Sequence, residues 1–85
     1  MSNNDKINAL VSIKHWAVSN MEYDFASRVR EVERSLLEIS TDYIKVIKPI
    51  QYLSNDQKEF LFDIQILNYL SKERLRDLKL ILILP

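Results

Sequence analysis

The side chains able to do chemistry in this chain are few and scattered. His15 is the only histidine and cysteine is absent. Three and four residues after His15 stand Val18 and Ser19, so no second metal ligand shares its helical turn. Glu22 and Asp24 are paired acids on a short polar stretch. Acid–base work would also need a nucleophile, oxyanion donors or a pocket wall, and nothing nearby in the sequence supplies them; helix capping accounts for both acids. With no glycine, neither a phosphate loop nor a dinucleotide fingerprint can form in its usual way. Lys72, Arg74, Arg76 and Lys79 could line up against phosphates, but Glu73 and Asp77 dilute them, and cations late in a helix also answer its dipole. The residue types thus predict no catalytic group, no metal site and no cofactor. They point to binding.

The elements that position these residues follow from size and composition. At 85 residues the chain makes one domain at most, and a domain of this size buries only ~60–65% of the surface its unfolded form exposes. Twelve basic and twelve acidic residues are interspersed, so no chain-wide field gathers nucleic acid or anionic lipid. The start "MSNNDKINAL" lacks the charged and apolar regions of a secretory signal and reads as the start of a mature protein. The longest uninterrupted apolar run, Leu80 to Leu84, is far shorter than the ~20 residues that span a bilayer. Together with the missing cysteine, this predicts a cytoplasmic protein with neither membrane nor direct nucleic acid as its ligand.

Without glycine, and with proline only at Pro49 and Pro85, hairpin and sheet punctuation is scarce and the expected class is all-α. A first helix is predicted from Asp5 to Ser19, with Ile7, Leu10, Ile13, Ala17 and Met21 on one stripe, Trp16 on its flank and Asn20 as the left-handed exit. A second starts near Glu22 or Tyr23 and runs towards Ile47, because Phe25, Val29, Val32, Leu36, Ile39, Tyr43 and Val46 step by four and three. Ser40 to Asp42 offers an alternative break, since three cap-forming residues adjoin there. Pro49 ends regular helix, and Ser54 with Gln57 forms a capping-box pattern for a third helix from Asn55 to Leu80. The tail from Leu80 to Leu84 fits a helix or a buried extended segment, with helix preferred. The expected architecture is an antiparallel hairpin plus a third helix over residues 54–82, one small bundle across residues 1–85.

The stretch "AVSNMEYDFASRVREVERSL", Ala17 to Leu36, carries a pattern of its own. A small residue precedes a polar turn centred on an aromatic with acids; then come an alanine, a hydrophobic residue followed by Arg and an acid, and a later leucine. Ala17, Tyr23, Asp24, Ala26, Val29, Arg30, Glu31 and Leu36 occupy these places, with Leu10 and Ile13 apolar upstream. Over residues 7–38 this resembles the UVR motif, the helical hairpin of bacterial excision-repair proteins and of the middle region of C-type Clp unfoldases. Phe25 stands at a usually charged position, Ser27 replaces a second alanine, Glu31 is longer than the common Asp, and Glu33 is closer to the Clp version.

The resemblance implies a non-enzymatic protein-interaction module, an adaptor or accessory subunit of a Clp-type unfoldase or an excision-repair partner. Two other classes fit a small, glycine-poor helical chain: an inhibitory binding protein of the immunity or antitoxin type facing a cognate toxin, and a structural subunit of a larger assembly. From the residues alone, Ala17 and Ala26 let the hairpin arms approach, Tyr23 packs over the hairpin end, and Arg30 with Glu33 and Asp24 with Arg28 form ion pairs along the helix. What the UVR resemblance implies in addition is that the exposed flank at Arg28, Arg30 and Glu31 carries partner recognition. The third helix carries more apolar face than two short helices cover, so Phe62, Ile66 and Tyr69 are expected to form an outward set that mediates a homodimer or an obligate heteromer.

Overall fold

The computed structural model describes residues 1–83, and these are all helix, turn and irregular chain. The helices are α1 (Asn3–Ser19), α2 (Tyr23–Leu37), α3 (Asn55–Asp63) and α4 (Lys72–Ile83), with 3₁₀ turns at Ile50–Tyr52 and Leu67–Tyr69. One hydrophobic core runs from Ala9, Leu10 and Ile13 through Phe25 and Val29 to Leu61, Leu78 and Leu82.

α1 is the axis of the molecule. Its Ser2 cap accepts the Asp5 N–H at 3.2 Å, and every residue from Ile7 to Ile13 is buried. A helix buried all round must be surrounded, so the single stripe expected from spacing understates it. α2 covers one side, and α3 and the first 3₁₀ turn cover another.

The exit from α1 replaces one expected residue by another. Asn20 has φ −106° and keeps to ordinary space, with its side-chain amide donating to the Trp16 carbonyl at 2.8 Å. Met21 takes the left-handed position, φ 61°. The Glu22 N–H then reaches the Ala17 carbonyl at 2.8 Å and the Met21 N–H that of Val18 at 3.1 Å, which is the Schellman pairing with methionine where glycine is usual. In consequence Met21 is 77% exposed instead of joining the apolar stripe. The turned chain brings α2 back antiparallel, with Ala17 and Ala26 both buried at the join and Phe25 and Val29 fully enclosed. Tyr23 does not pack over the hairpin end; it is 62% exposed.

α2 ends at Leu37, not near Ile47. Ile39 and Ser40 N–H groups tighten onto the Leu36 and Leu37 carbonyls, and the Ser40 hydroxyl donates to the Leu36 carbonyl at 2.8 Å. This serine competes with the helix it follows, as the alternative break at Ser40 to Asp42 allows. Beyond the bend the chain returns alongside α1. The Ile44 N–H donates to Asn4 Oδ1 (2.8 Å), Asn8 Nδ2 donates to the Ile44 carbonyl (3.0 Å), the Val46 N–H donates to Asn8 Oδ1 (2.9 Å), and the Lys48 N–H donates to Ser12 Oγ (3.1 Å). Four residues of helix advance about 6 Å and two extended residues about 6.6 Å, so a polar residue on every fourth helical position meets every second residue of an extended chain. Asn8 and Ser12 are buried polar groups whose partners are this backbone.

The capping box at Ser54 forms in both directions, with Gln57 N–H on Ser54 Oγ at 3.1 Å and Ser54 N–H on Gln57 Oε1 at 3.0 Å. The same Gln57 donates its amide to the Asp5 carbonyl at 2.9 Å and ties α3 to the start of α1. The continuous third helix does not form. It stops at Asp63, Gln65 turns left-handed at φ 57°, and the chain passes through Leu67–Tyr69 before α4. Folding back lets Leu61 and Leu78 both reach full burial, which one straight rod could not arrange. Helix continues to Ile83; Leu84, the last residue of the expected tail run, lies outside the described residues.

Candidate protein-interaction surface

Among the described residues no group of histidines and acids is placed to hold a metal ion. His15 is exposed at a cleft with Trp16, Lys48 and Pro49, and no acid lines that cleft. Arg74 is paired with Asp77 at 3.3 Å, while Lys72, Arg76 and Lys79 flank Leu75, Leu80 and Ile83 along α4. That placement mixes cations with aliphatic side chains.

Two of the expected recognition residues meet at the flank of the hairpin. The Arg28 guanidinium lies 4.5 Å from the centre of the Tyr69 ring, and its Nη1 is 3.8 Å from Glu31 Oε2. Close to the start of α2 the Ser71 hydroxyl donates to the Glu22 carboxylate. Arg28, Glu31 and Tyr69 therefore sit together where α2 meets the linker into α4. Phe62 and Ile66 do not join them: both pack part-buried against the core, so the outward set expected on one continuous helix does not exist as a face. The apolar surplus that suggested a dimer through the third helix is largely turned inward by the break at Gln65.

Arg30 points elsewhere. It lines a shallow hollow with Lys14, Val18, Tyr23, Ala26 and Ser27 and makes no ion pair among the described residues. The expected Arg30–Glu33 and Asp24–Arg28 pairs are absent, because Glu33 is taken by Lys14 across the hairpin and Arg28 by Glu31. Val18 (48% exposed), Met21 and Tyr23 leave apolar surface at the hairpin tip beside this cation. Sequence spacing overlooked Val18 and placed Met21 in the core. The exposed Schellman position of Met21 could be found only by recognising that a glycine-free chain must put some other residue there.

One titratable group is displaced from its ordinary range. Burial raises the Tyr43 hydroxyl above 10.0, and the Glu33 carboxylate adds to the shift. The hydroxyl oxygen is enclosed and has no hydrogen-bond partner. A phenol held neutral in this way lies under the α2 exit and borders a shallow hollow lined also by Asn4, Ile39, Ser40 and Asp42.

No helix among the described residues is long and apolar enough to cross a membrane. Compared with family models, curated proteins and solved structures, the chain matches none of them.

Proposed function

We propose that this chain is a non-enzymatic protein-interaction module, an adaptor or accessory subunit that docks through its hairpin tip onto a larger protein machine in the cytoplasm. The observation that carries this reading is the hollow at the tip, where the Arg30 guanidinium, without an ion pair among the described residues, borders exposed Val18 and Tyr23. Exposed arginine and tyrosine beside exposed aliphatic side chains are residue types that anchor protein interfaces. The UVR-like pattern over the same residues supports a Clp-type unfoldase or an excision-repair protein as the partner class. The inhibitory and structural-subunit readings share the fold but have no comparable feature favouring them.

The test is titration of the protein against a purified C-type Clp unfoldase and against a UVR-containing repair protein, with Tyr23→Ala combined with Arg30→Glu as the comparison. Saturable binding that the double substitution abolishes, at unchanged helicity, supports the reading. Failure of both partners to bind removes the adaptor role, and capture of a co-encoded toxin in its place assigns the inhibitory one.

A further inference from the structure

The segment from Ile44 to Lys48 is held along one edge only. Its inward backbone groups belong to Ile44, Val46 and Lys48 and are fixed by Asn4, Asn8 and Ser12. In an extended chain the intervening residues point their N–H and C=O to the other side. Those of Lys45 and Ile47 make no hydrogen bond among the described residues. Ile44 is 70% exposed, Val46 42% and Ile47 47%. An exposed segment that carries Ile44, Val46 and Ile47, is bound at every second residue and leaves its other edge free is a template for an added strand.

We propose that this edge pairs with the same edge of a second copy, antiparallel, on a two-fold axis at Val46. The register follows from elimination. Centring on Val46 places Lys45 opposite Ile47 of the second copy and Ile47 opposite its Lys45, so all of the outward N–H and C=O groups of these residues bond reciprocally. Ile44 then faces Lys48 across the axis, and no lysine directly opposes a lysine. Centring on Lys45 sets like charges directly opposite, which destabilises a pair. Centring on Ile47 opposes Lys45 to Pro49, which has no N–H to give. An axis between residues matches an outward-pointing residue with an inward-pointing one and closes no bonds. Of the three registers centred within Lys45 to Ile47, the one on Val46 is left, and it is self-complementary, as a two-fold interface requires. It lies away from the hairpin tip and does not depend on the docking role given to Arg30 and Tyr23.

The lack of cysteine makes the geometry directly readable. Residues opposed across a non-hydrogen-bonded antiparallel pair have Cα atoms about 4.5 Å apart, at the short end of the range a disulfide bridges. Val46→Cys should therefore form an intermolecular disulfide readily under mild oxidation, with Lys45→Cys and Ile39→Cys much slower. Sedimentation across a concentration range should show the parent protein reversing between monomer and dimer. Val46→Lys, which keeps the inward N–H bond to Asn8 but sets two charges on the axis, should stay monomeric with unchanged helicity. A parent that remains monomeric throughout overturns the proposal. So does a dimer that is indifferent to Val46→Lys and whose Val46→Cys variant cross-links no faster than the two control variants.

Discussion

The Arg28 guanidinium lies 4.5 Å from the centre of the Tyr69 ring and joins α2 to the 3₁₀ turn that precedes α4. The two residues are far apart in sequence, so this stacked contact helps hold the C-terminal third against the hairpin. An exposed cation on a ring contributes about 0.5–1 kcal/mol. A double-mutant cycle of Arg28→Ala and Tyr69→Ala in urea unfolding should give a coupling energy of that size, and Tyr69→Phe should retain most of it. Full additivity would show that the contact adds nothing to stability.

Asn8 is the hinge between the central helix and the returning chain, because its amide serves both the Ile44 carbonyl and the Val46 N–H. Asn8→Ala leaves two partly buried backbone groups without partners and should cost about 1–3 kcal/mol. Backbone hydrogen exchange should locate the loss, with the Val46 amide opening well before the amides at the centre of α1. Uniform exchange across both sites would mean that the extended segment is not held by this side chain.

Much of the architecture was legible in the sequence, and the parts that were not share a physical cause. Periodicity found α1, the start of α2 and the capping box at Ser54, each of which is decided within a few residues of chain. It misassigned Tyr43 and Val46, because a four-three spacing of apolar residues continues through a segment whose backbone is bound by Asn4, Asn8 and Ser12 from outside. The informative signal lay in the first helix: polar residues four apart on an otherwise apolar run need partners, and a distant extended chain supplied them. The break at Gln65 was hidden for a similar reason. Nothing local forces a left-handed glutamine, and the gain comes from bringing Leu61 and Leu78 into one core. At the candidate surface, the UVR resemblance singled out Arg28, Arg30 and Glu31 and apolar spacing singled out Tyr69, but the separation of Arg30 from Arg28 depends on which neighbours claimed Glu33 and Glu31.

Met21 holds φ 61° at the Schellman position with a side chain that is 77% exposed. A residue with a Cβ costs roughly 1–2 kcal/mol in left-handed space, and glycine escapes most of that while losing more freedom on folding. Met21→Gly should thus stabilise the hairpin by about 0.5–1 kcal/mol, read as a rise in the midpoint of thermal or urea unfolding. The substitution also removes apolar surface from the tip. If the tip docks a partner through that surface, the stabilised variant should bind it more weakly, which separates the two contributions of the residue.

Tyr43 gives the fold a pH dependence on the alkaline side. Burial first, and the Glu33 carboxylate second, hold its hydroxyl above the ordinary value of 10.0. At neutral pH the hydroxyl keeps its proton in folded and unfolded chains alike, so the contribution of Tyr43 to stability is constant there. As pH rises through the unfolded value, the unfolded chain releases the proton while the folded chain retains it, and stability falls until the folded group ionises as well. Unfolding midpoints should therefore decline above about pH 10, and Tyr43→Phe should remove a defined part of that decline. The hydroxyl also lacks a partner in its enclosed position, so deleting it at neutral pH should be neutral or stabilising by up to about 1 kcal/mol, in contrast to the usual loss when a bonded tyrosine hydroxyl is removed. Glu33→Gln takes away the carboxylate but not the burial, which brings the folded hydroxyl closer to its unfolded value and should shrink the decline without abolishing it. An unchanged alkaline profile in both variants would remove Tyr43 as its source.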